Sequence, residues 1–347
     1  MNADAITVRT LTDGGQPASD VLGWITEFVA AARSSLDFAH YDLHLDEDCA
    51  SGLRDAVRGA AARGVAVRFL YNVDHRNPIP VPPPPEPDAQ LIASFDVPAR
   101  AIAGVPDLMH HKYVVRDSAV VWTGSMNWTY DSFTRQENVL ATVESPELAA
   151  RFSEDFEELW TTGVVEQSGF VSNRPLDAGG TEVRTWFTPG RGEELSARIA
   201  ATIAAAKRVR ICSPVITAAP VLAALAQGTS EGKDIAGCVD QPQVRGVIGQ
   251  WRENGNVAWK LPLLERALQS PFSGKRSTPW RPGPGLHDFM HAKTTIADGV
   301  VFLGSFNLSR SGERNAENVL EIRDGALAER LAAYVDEVRA RYPRFAF

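Results

Sequence analysis

The residues best suited to chemistry form two matching sets. Met109 is followed by His110, Lys112 and Asp117, then by Gly124-Ser125-Met126-Asn127 and by Glu137-Asn138. The order recurs with Met290, His291, Lys293 and Asp298, then Gly304-Ser305-Phe306-Asn307 and Glu317-Asn318. His, Lys and Asp are displaced by 181 residues between the copies, whereas Ser, Asn and Glu are displaced by 180. An imidazole beside an ammonium and a carboxamide can hold a phosphate and attack it. One chain therefore carries two copies of half a site.

The elements that must position these residues follow from periodicity. If 110–116 is a strand, His110 and Lys112 fall on one parity and share a face. Asp117 and Asp298 each lie seven positions after their histidine, an odd spacing that turns them to the opposite face. They are expected to support the site from behind. Asp107 and Asp288 read as turn residues, and His44, His111 and His287 as local polar groups. Ser125 and Ser305 either cap a helix after the glycine turn or bond the phosphate.

Around the first motif the pattern predicts a helix over 21–33 capped by Asp20, a strand over 36–43 and a helix over 50–63 closed by Gly64. Strands at 65–71, 120–123 and 137–143 and a helix at 146–161 complete that half. The second half repeats them at 193–207, 209–216, 218–226, 233–240, 317–322 and 326–342. Helices alternating with apolar strands give an α/β fold: two halves related by a pseudo-twofold, each a mixed sheet flanked by helices, with the site at their interface. Ser, Asn, Pro and Gly cluster over 165–180, which places the division between 1–170 and 171–347.

The bulk properties narrow the class. A chain of 347 residues with 44% hydrophobic content can bury a sizeable core. Its net charge of -8 argues against binding nucleic acid with its whole surface, although a local basic groove is compatible with it. Cys49, Cys212 and Cys238 lack the pairing of a disulfide framework or a zinc site, so no metal is expected. Met1 to Asp20 lacks a cationic start and apolar run, and no eighteen consecutive residues are apolar; a soluble, cytoplasmic protein without an integral membrane segment is expected. The prolines between Pro78 and Pro87 read as a stiff surface loop.

His-x-Lys-x4-Asp followed by Gly-Ser-x-Asn, present twice, resembles the mark of the phospholipase D superfamily. The likeness covers both halves and departs only in loop length: six residues separate Asp117 from Gly124, and five separate Asp298 from Gly304. It implies a phosphodiesterase that works through a phosphohistidine, with His110 more often the nucleophile and His291 the proton donor. Lys112, Lys293, Asn127 and Asn307 would hold the non-bridging oxygens, and Glu137 and Glu317 would orient the two rings. No cofactor is implied, since lysines and amides supply the electrostatics.

The substrate is less sharply indicated. Arg245 to Arg281 carries seven basic residues against Glu253 and Glu265, interleaved with Trp251, Trp259, Phe272 and Trp280. Trp251, Arg252, Trp280 and Arg281 are the candidate substrate contacts, suited to stacked bases and a phosphate backbone. An exposed loop whose tryptophans cover the core competes with that reading. Nucleic acid is accordingly the first substrate expectation, phospholipid headgroups the alternative, and an inactive binding module the third. Two motifs in one chain lead us to expect a monomer.

Overall fold

Each half is built from strands whose residues are mostly buried on both faces, and such strands need helices on one side and a partner layer on the other. The computed structural model describes residues 5–74, 87–278 and 287–347. The first half contains β1 (Ile6–Leu11), α1 (Ala18–Ala30), β2 (Ser35–His40), β3 (Leu43–His44), α2 (Glu47–Ala62), β4 (Ala66–Val73), α3 (Ala89–Ser94), β5 (Ala99–Ala103), β6 (Lys112–Arg116), β7 (Val120–Gly124), β8 (Trp128–Thr129), α4 (Tyr130–Thr134), β9 (Asn138–Glu144) and α5 (Pro146–Thr162). The second contains β10 (Leu176–Ala178), β11 (Thr181–Thr188), α6 (Gly192–Ala205), β12 (Arg208–Ser213), α7 (Ala219–Ser230), β13 (Asp234–Asp240), α8 (Gln241–Glu253), α9 (Leu261–Ala267), β14 (Phe272–Lys275), β15 (Thr294–Ala297), β16 (Val300–Gly304), α10 (Arg310–Arg314), β17 (Glu317–Arg323) and α11 (Gly325–Arg341).

The two sheets have one topology. The first runs β1-β9-β7-β6-β2-β4-β5, and the second runs β10-β11-β17-β16-β15-β12-β13-β14, with β10 as an added edge. In each, two parallel pairings follow the central strand (β2 with β4 and β5, β12 with β13 and β14) and the other pairings are antiparallel. The predicted α/β class and duplicated halves are observed. Helices α8 and α9 fill part of the segment that the sequence pattern leaves as a basic, aromatic stretch.

Three apolar clusters set the layering. One packs α1 and α2 on the first sheet and another packs α6 and α7 on the second. The third lies between the sheets, where Phe152 and Phe156 of α5 and Leu331 and Val335 of α11 share a core with residues of both halves. The caps of these two central helices match: Ser145 accepts from the Leu148 amide, and Asp324 from the amides of Ala326 and Leu327. The halves are therefore joined through one continuous interior.

Two details of the repeated motif are set by the backbone. Gly124 and Gly304 have φ of 154° and 159°, and a Cβ at either would sit 2.3 or 2.0 Å from the carbonyl oxygen of Val139 or Asn318. Only glycine permits that approach. Asp117 and Asp298, the last members of the motif, adopt positive φ in tight turns at the far ends of their strands. Asp117 accepts from the backbone amides of Arg33, Ser34 and Ser35 and from the Ser34 hydroxyl. Asp298 accepts from the amides of Lys207 and Arg208.

Both aspartates thus clamp the loop entering the neighbouring central strand and touch none of the reacting groups. This is a supporting role set away from the phosphate, held through the loop and not through contact with the reacting groups. Burial pushes the Asp117 carboxyl up, but the amides and hydroxyl that face it outweigh burial and hold it below the usual carboxylate range. Its contribution is present above the unfolded value of 3.8 and is lost as pH falls through the lower folded value. Asp117→Ala should lower unfolding stability by about 1–3 kcal/mol at neutral pH, with a deficit that shrinks as pH falls below the unfolded value of 3.8, as read by denaturant titration.

Candidate functional site

The site forms where the sheets meet at β7, β9 and β16. Met109 bridges to Ala316, and Glu137 bridges to Met290, so each histidine motif is tied to the opposite half. The His110 amide donates to the Ala316 carbonyl at 2.9 Å. A second anchor holds each motif from its own half. Asn72, ending near β4's C-terminus, accepts from the Met109 amide at 2.9 Å, and Asp240 at the end of β13 accepts from the Met290 amide at 3.1 Å. Both anchors are fully buried, and the sequence reading did not single them out.

The two imidazoles have different partners. His110 Nδ1 lies 2.7 Å from Glu317 Oε2, and Glu317 also accepts from Asn315 Nδ2 at 3.2 Å. His291 Nδ1 lies 3.1 Å from Asn138 Oδ1, which also accepts the Ser125 hydroxyl at 2.8 Å. An acceptor at Nδ1 places the hydrogen there and leaves Nε2 as the reactive nitrogen of each neutral ring. Tyr41 meets the His110 ring edge-on at 4.6 Å, and Phe289 lies 4.7 Å from His291. Lys112 and Lys293 donate from Nζ to the carbonyls of His110 and His291, at 2.6 and 2.9 Å. The Oδ1 atoms of Asn127 and Asn307 are buried without a hydrogen-bond partner, and a half-turn of either amide offers an NH2 to a phosphate oxygen.

Burial dominates the electrostatics. It lowers His110 well below 6.5, reinforced by Lys112 and Lys293, and lowers His291 likewise, reinforced by Lys293 and Lys112. Each ring therefore feels the ammonium of both halves. Burial brings Lys112 down to about 7 against the pull of Glu317 and Asp42, and it lowers Lys293 well below the usual lysine value, with Lys112 beside it. Burial also raises Glu317 to about 7, opposed chiefly by Lys112. A cluster of this kind is short of negative charge, which an anionic ligand would supply.

Comparison with known proteins fits this geometry. A family model described as "Cardiolipin synthase, PLD-like domain" matches residues 25–160 and 199–339. The chain belongs to the phospholipase D superfamily. Curated relatives include the mitochondrial cardiolipin hydrolases of Homo sapiens, 45% identical over 131 residues, and of Chlamydomonas reinhardtii, 35% identical over 134 residues. The matched stretches are 38% and 39% of this chain and 47% and 55% of those proteins, so the chain spans about half the length of these relatives. Among solved structures, phosphatidylserine synthase of Haemophilus influenzae superposes with a TM-score of 0.63 at 14% identity, covering 96% of this chain and 86% of its own. Polyphosphate kinase of Porphyromonas gingivalis gives 0.59 at 11% identity over 97% and 50%. These two share the fold.

Within this phospholipase D site, the structure brings together His110, His291, Lys112, Lys293 and Glu317, with Asn127 and Asn307 at their strand ends. Glu137 departs from expectation. Its carboxylate pairs with the buried Lys275 at 3.0 Å and accepts the Tyr342 hydroxyl, with Asp13 completing the cluster 3.1 Å from Lys275. The reason is register. Ser125 and Ser305 receive the backbone amides of Val139 and Asn318, and Met290 and Met109 bridge to Glu137 and Ala316. Asn138 therefore occupies the place of Glu317, although the tetrapeptide Glu-Asn-Val-Leu aligns Glu137 with it. A shift of one residue along a strand turns the side chain to the other face.

Ser125 serves Asn138, and Ser305 bonds Glu317, so both serines orient the partners of histidines. His111 is fully buried, 3.1 Å from Asp155 and 3.3 Å from Asn318. Trp251 is a further correction: only 8% exposed, it belongs to the core around α7 and α9, with the Lys260 ammonium over its ring. Arg252 is exposed at the end of α8. Trp280, Arg281 and nearly all of the proline-rich stretch lie outside the described residues.

Glu317 must be ionised to support His110, whereas Lys112 must be protonated to bind phosphate. Activity should thus rise as pH climbs through the carboxyl's range and fall as the ammonium deprotonates, a narrow bell centred near pH 7. For bis(p-nitrophenyl) phosphate cleavage, Glu317→Gln should lower kcat on the order of a hundredfold and remove the acidic limb. Glu137→Gln should keep the bell and kcat within a few-fold while losing roughly 3 kcal/mol of stability. Equal loss of turnover in the two folded variants would contradict these assignments.

Proposed function

We propose that the chain is a phosphodiesterase acting on phospholipid headgroups through a covalent phosphohistidine, with His110 as nucleophile and His291 as proton donor. The observation that carries the assignment is the unequal pairing of the rings. When His110 Nε2 attacks phosphorus, the ring becomes a phosphorylated cation, and the Glu317 carboxylate stabilises that charge. Asn138 gives His291 an oriented acceptor without a charge, which leaves its imidazolium the stronger acid. The negative charge of the bound diester favours uptake from solvent of the proton that His291 Nε2 then donates.

The steps balance within these groups. The phosphorus–oxygen bond to the departing alcohol breaks as the bond to His110 Nε2 forms, and the proton on His291 Nε2 passes to the departing oxygen. Neutral His291 then takes a proton from water, whose oxygen displaces His110 from phosphorus and restores both rings. Lys112, Lys293 and the amides of Asn127 and Asn307 neutralise the charge on the non-bridging oxygens in both transition states. Both half-sites lie in one chain, so a monomer suffices.

Three observations favour a lipid over nucleic acid and reverse the order expected from the sequence. The family description and the curated relatives concern cardiolipin. Trp251, proposed to stack on bases, is packed in the core. Trp259, by contrast, is 57% exposed beside Lys260, which donates to the Thr217 carbonyl; Thr217 in turn donates to Leu308, the residue after Asn307. An exposed indole with a neighbouring ammonium close to the site suits a membrane interface.

Purified chain incubated in EDTA with cardiolipin or phosphatidylglycerol vesicles, single- and double-stranded DNA, and RNA should release headgroup products and leave the nucleic acids intact. Nucleic-acid cleavage without lipid turnover would overturn the lipid assignment. Activity in none of the samples, together with none on bis(p-nitrophenyl) phosphate, would overturn the enzymatic one.

A further inference from the structure

A cavity of about 520 Å³ opens beside the second motif, lined by Gln241, Pro242, Arg245, Arg276 and Ser277. Its position follows from topology. β13 and β14 are parallel and end side by side, with Asp240 opposite Lys275. The chain leaves both strands on the same edge, Gln241 directly after Asp240 and Arg276 directly after Lys275. In α/β sheets this carboxyl edge is where ligands bind. Asp240 also holds the Met290 amide, so its anchoring contact falls on the residue immediately before His291.

The cavity has the chemistry of an anion site. Arg68, Arg198 and Arg210 are paired with carboxylates. Arg245 bonds only the Ala346 carbonyl, and Arg276 has no hydrogen-bond or ion-pair partner among the described residues. Gln241 is 5% exposed with its Oε1 unpartnered, and a half-turn of this amide, which lines the cavity, offers an NH2 to an anion. Asp240 is fully buried, and its oxygens are taken up by the amides of Gln243 and Met290 and by the Ser277 hydroxyl.

We propose that this cavity is a phosphate subsite that receives, from the same lipid, a phosphate group other than the one being cleaved. The substrate class is then a phospholipid with two phosphodiesters, one at the histidines and the other between Arg245 and Arg276. The volume suits a phosphate with its glycerol. The inference rests on the lipid reading above, but the cavity's affinity for phosphate can be measured without turnover.

The test compares wild type with Arg245→Ala, Arg276→Ala and the double variant, substitutions at exposed side chains that leave the fold and the histidine site in place. For cardiolipin, kcat/KM should fall about tenfold or more in the double variant, mostly through KM. For bis(p-nitrophenyl) phosphate, which has a single phosphate, both constants should stay within about twofold. Calorimetric titration with inorganic phosphate should show a saturable site that the double variant loses.

Equal losses on both substrates, or no loss on either, would overturn the proposal. Loss of phosphate binding with unchanged cardiolipin kinetics would identify free phosphate as the ligand and overturn the substrate subsite. If wild type turns over no substrate, the lipid reading fails; the titration then decides alone whether the cavity binds phosphate, and absence of that site would sink the proposal.

Discussion

The exchange of hydrogen-bond partners across the seam is the constraint on which the site depends. His110 belongs to the first half and leans on Glu317 of the second, while His291 leans back on Asn138 of the first. Neither half can orient its own ring. The same seam carries the shared core of α5 and α11, and the Tyr334 hydroxyl of α11 reaches the Leu11 carbonyl in the first strand of the chain. Folding and assembly of the reacting groups are thus a single event, and damage to the central core should reach the site directly.

Burial then does the chemical tuning. Two lysines, two histidines and one glutamate are nearly sealed from solvent, which makes every charged form expensive unless a counter-charge is present. Glu317 supplies such a charge to His110, and an anionic ligand would supply the rest. The carboxylate that the sequence pairs with His291 is used elsewhere: Glu137 neutralises Lys275 in a buried cluster with Asp13 and Tyr342, close to the C-terminal helix. The resulting asymmetry gives two chemically similar histidines different partners, the basis of the different tasks proposed for them.

Much of this was legible in the sequence because a phosphate site needs uncommon residue types at fixed spacing and both copies retain them. The alternating helices and strands were legible for the same reason, through apolar period. The partner of His291 was not. Glu-Asn-Val-Leu occurs in both halves, and matching the tetrapeptides aligns Glu137 with Glu317. The spacing to the following helix cap carries the missing signal: Glu137 precedes Ser145 by eight residues, whereas Glu317 precedes Asp324 by seven. Counting back from the caps places Asn138, and not Glu137, opposite Glu317. Trp251 and Lys275 were hidden differently, since a composition rich in tryptophan and cations does not distinguish an exposed binding face from a helix packed on the core.

The division of labour between the histidines is most directly tested by finding which ring carries the covalent adduct. Wild-type chain mixed with bis(p-nitrophenyl) phosphate, quenched in alkali within the first turnover and digested, can be read by mass spectrometry with fragmentation. The nitrophenylphosphoryl group should be found on His110. An adduct confined to His291 would contradict the account, because the ring without a carboxylate partner would then be the nucleophile.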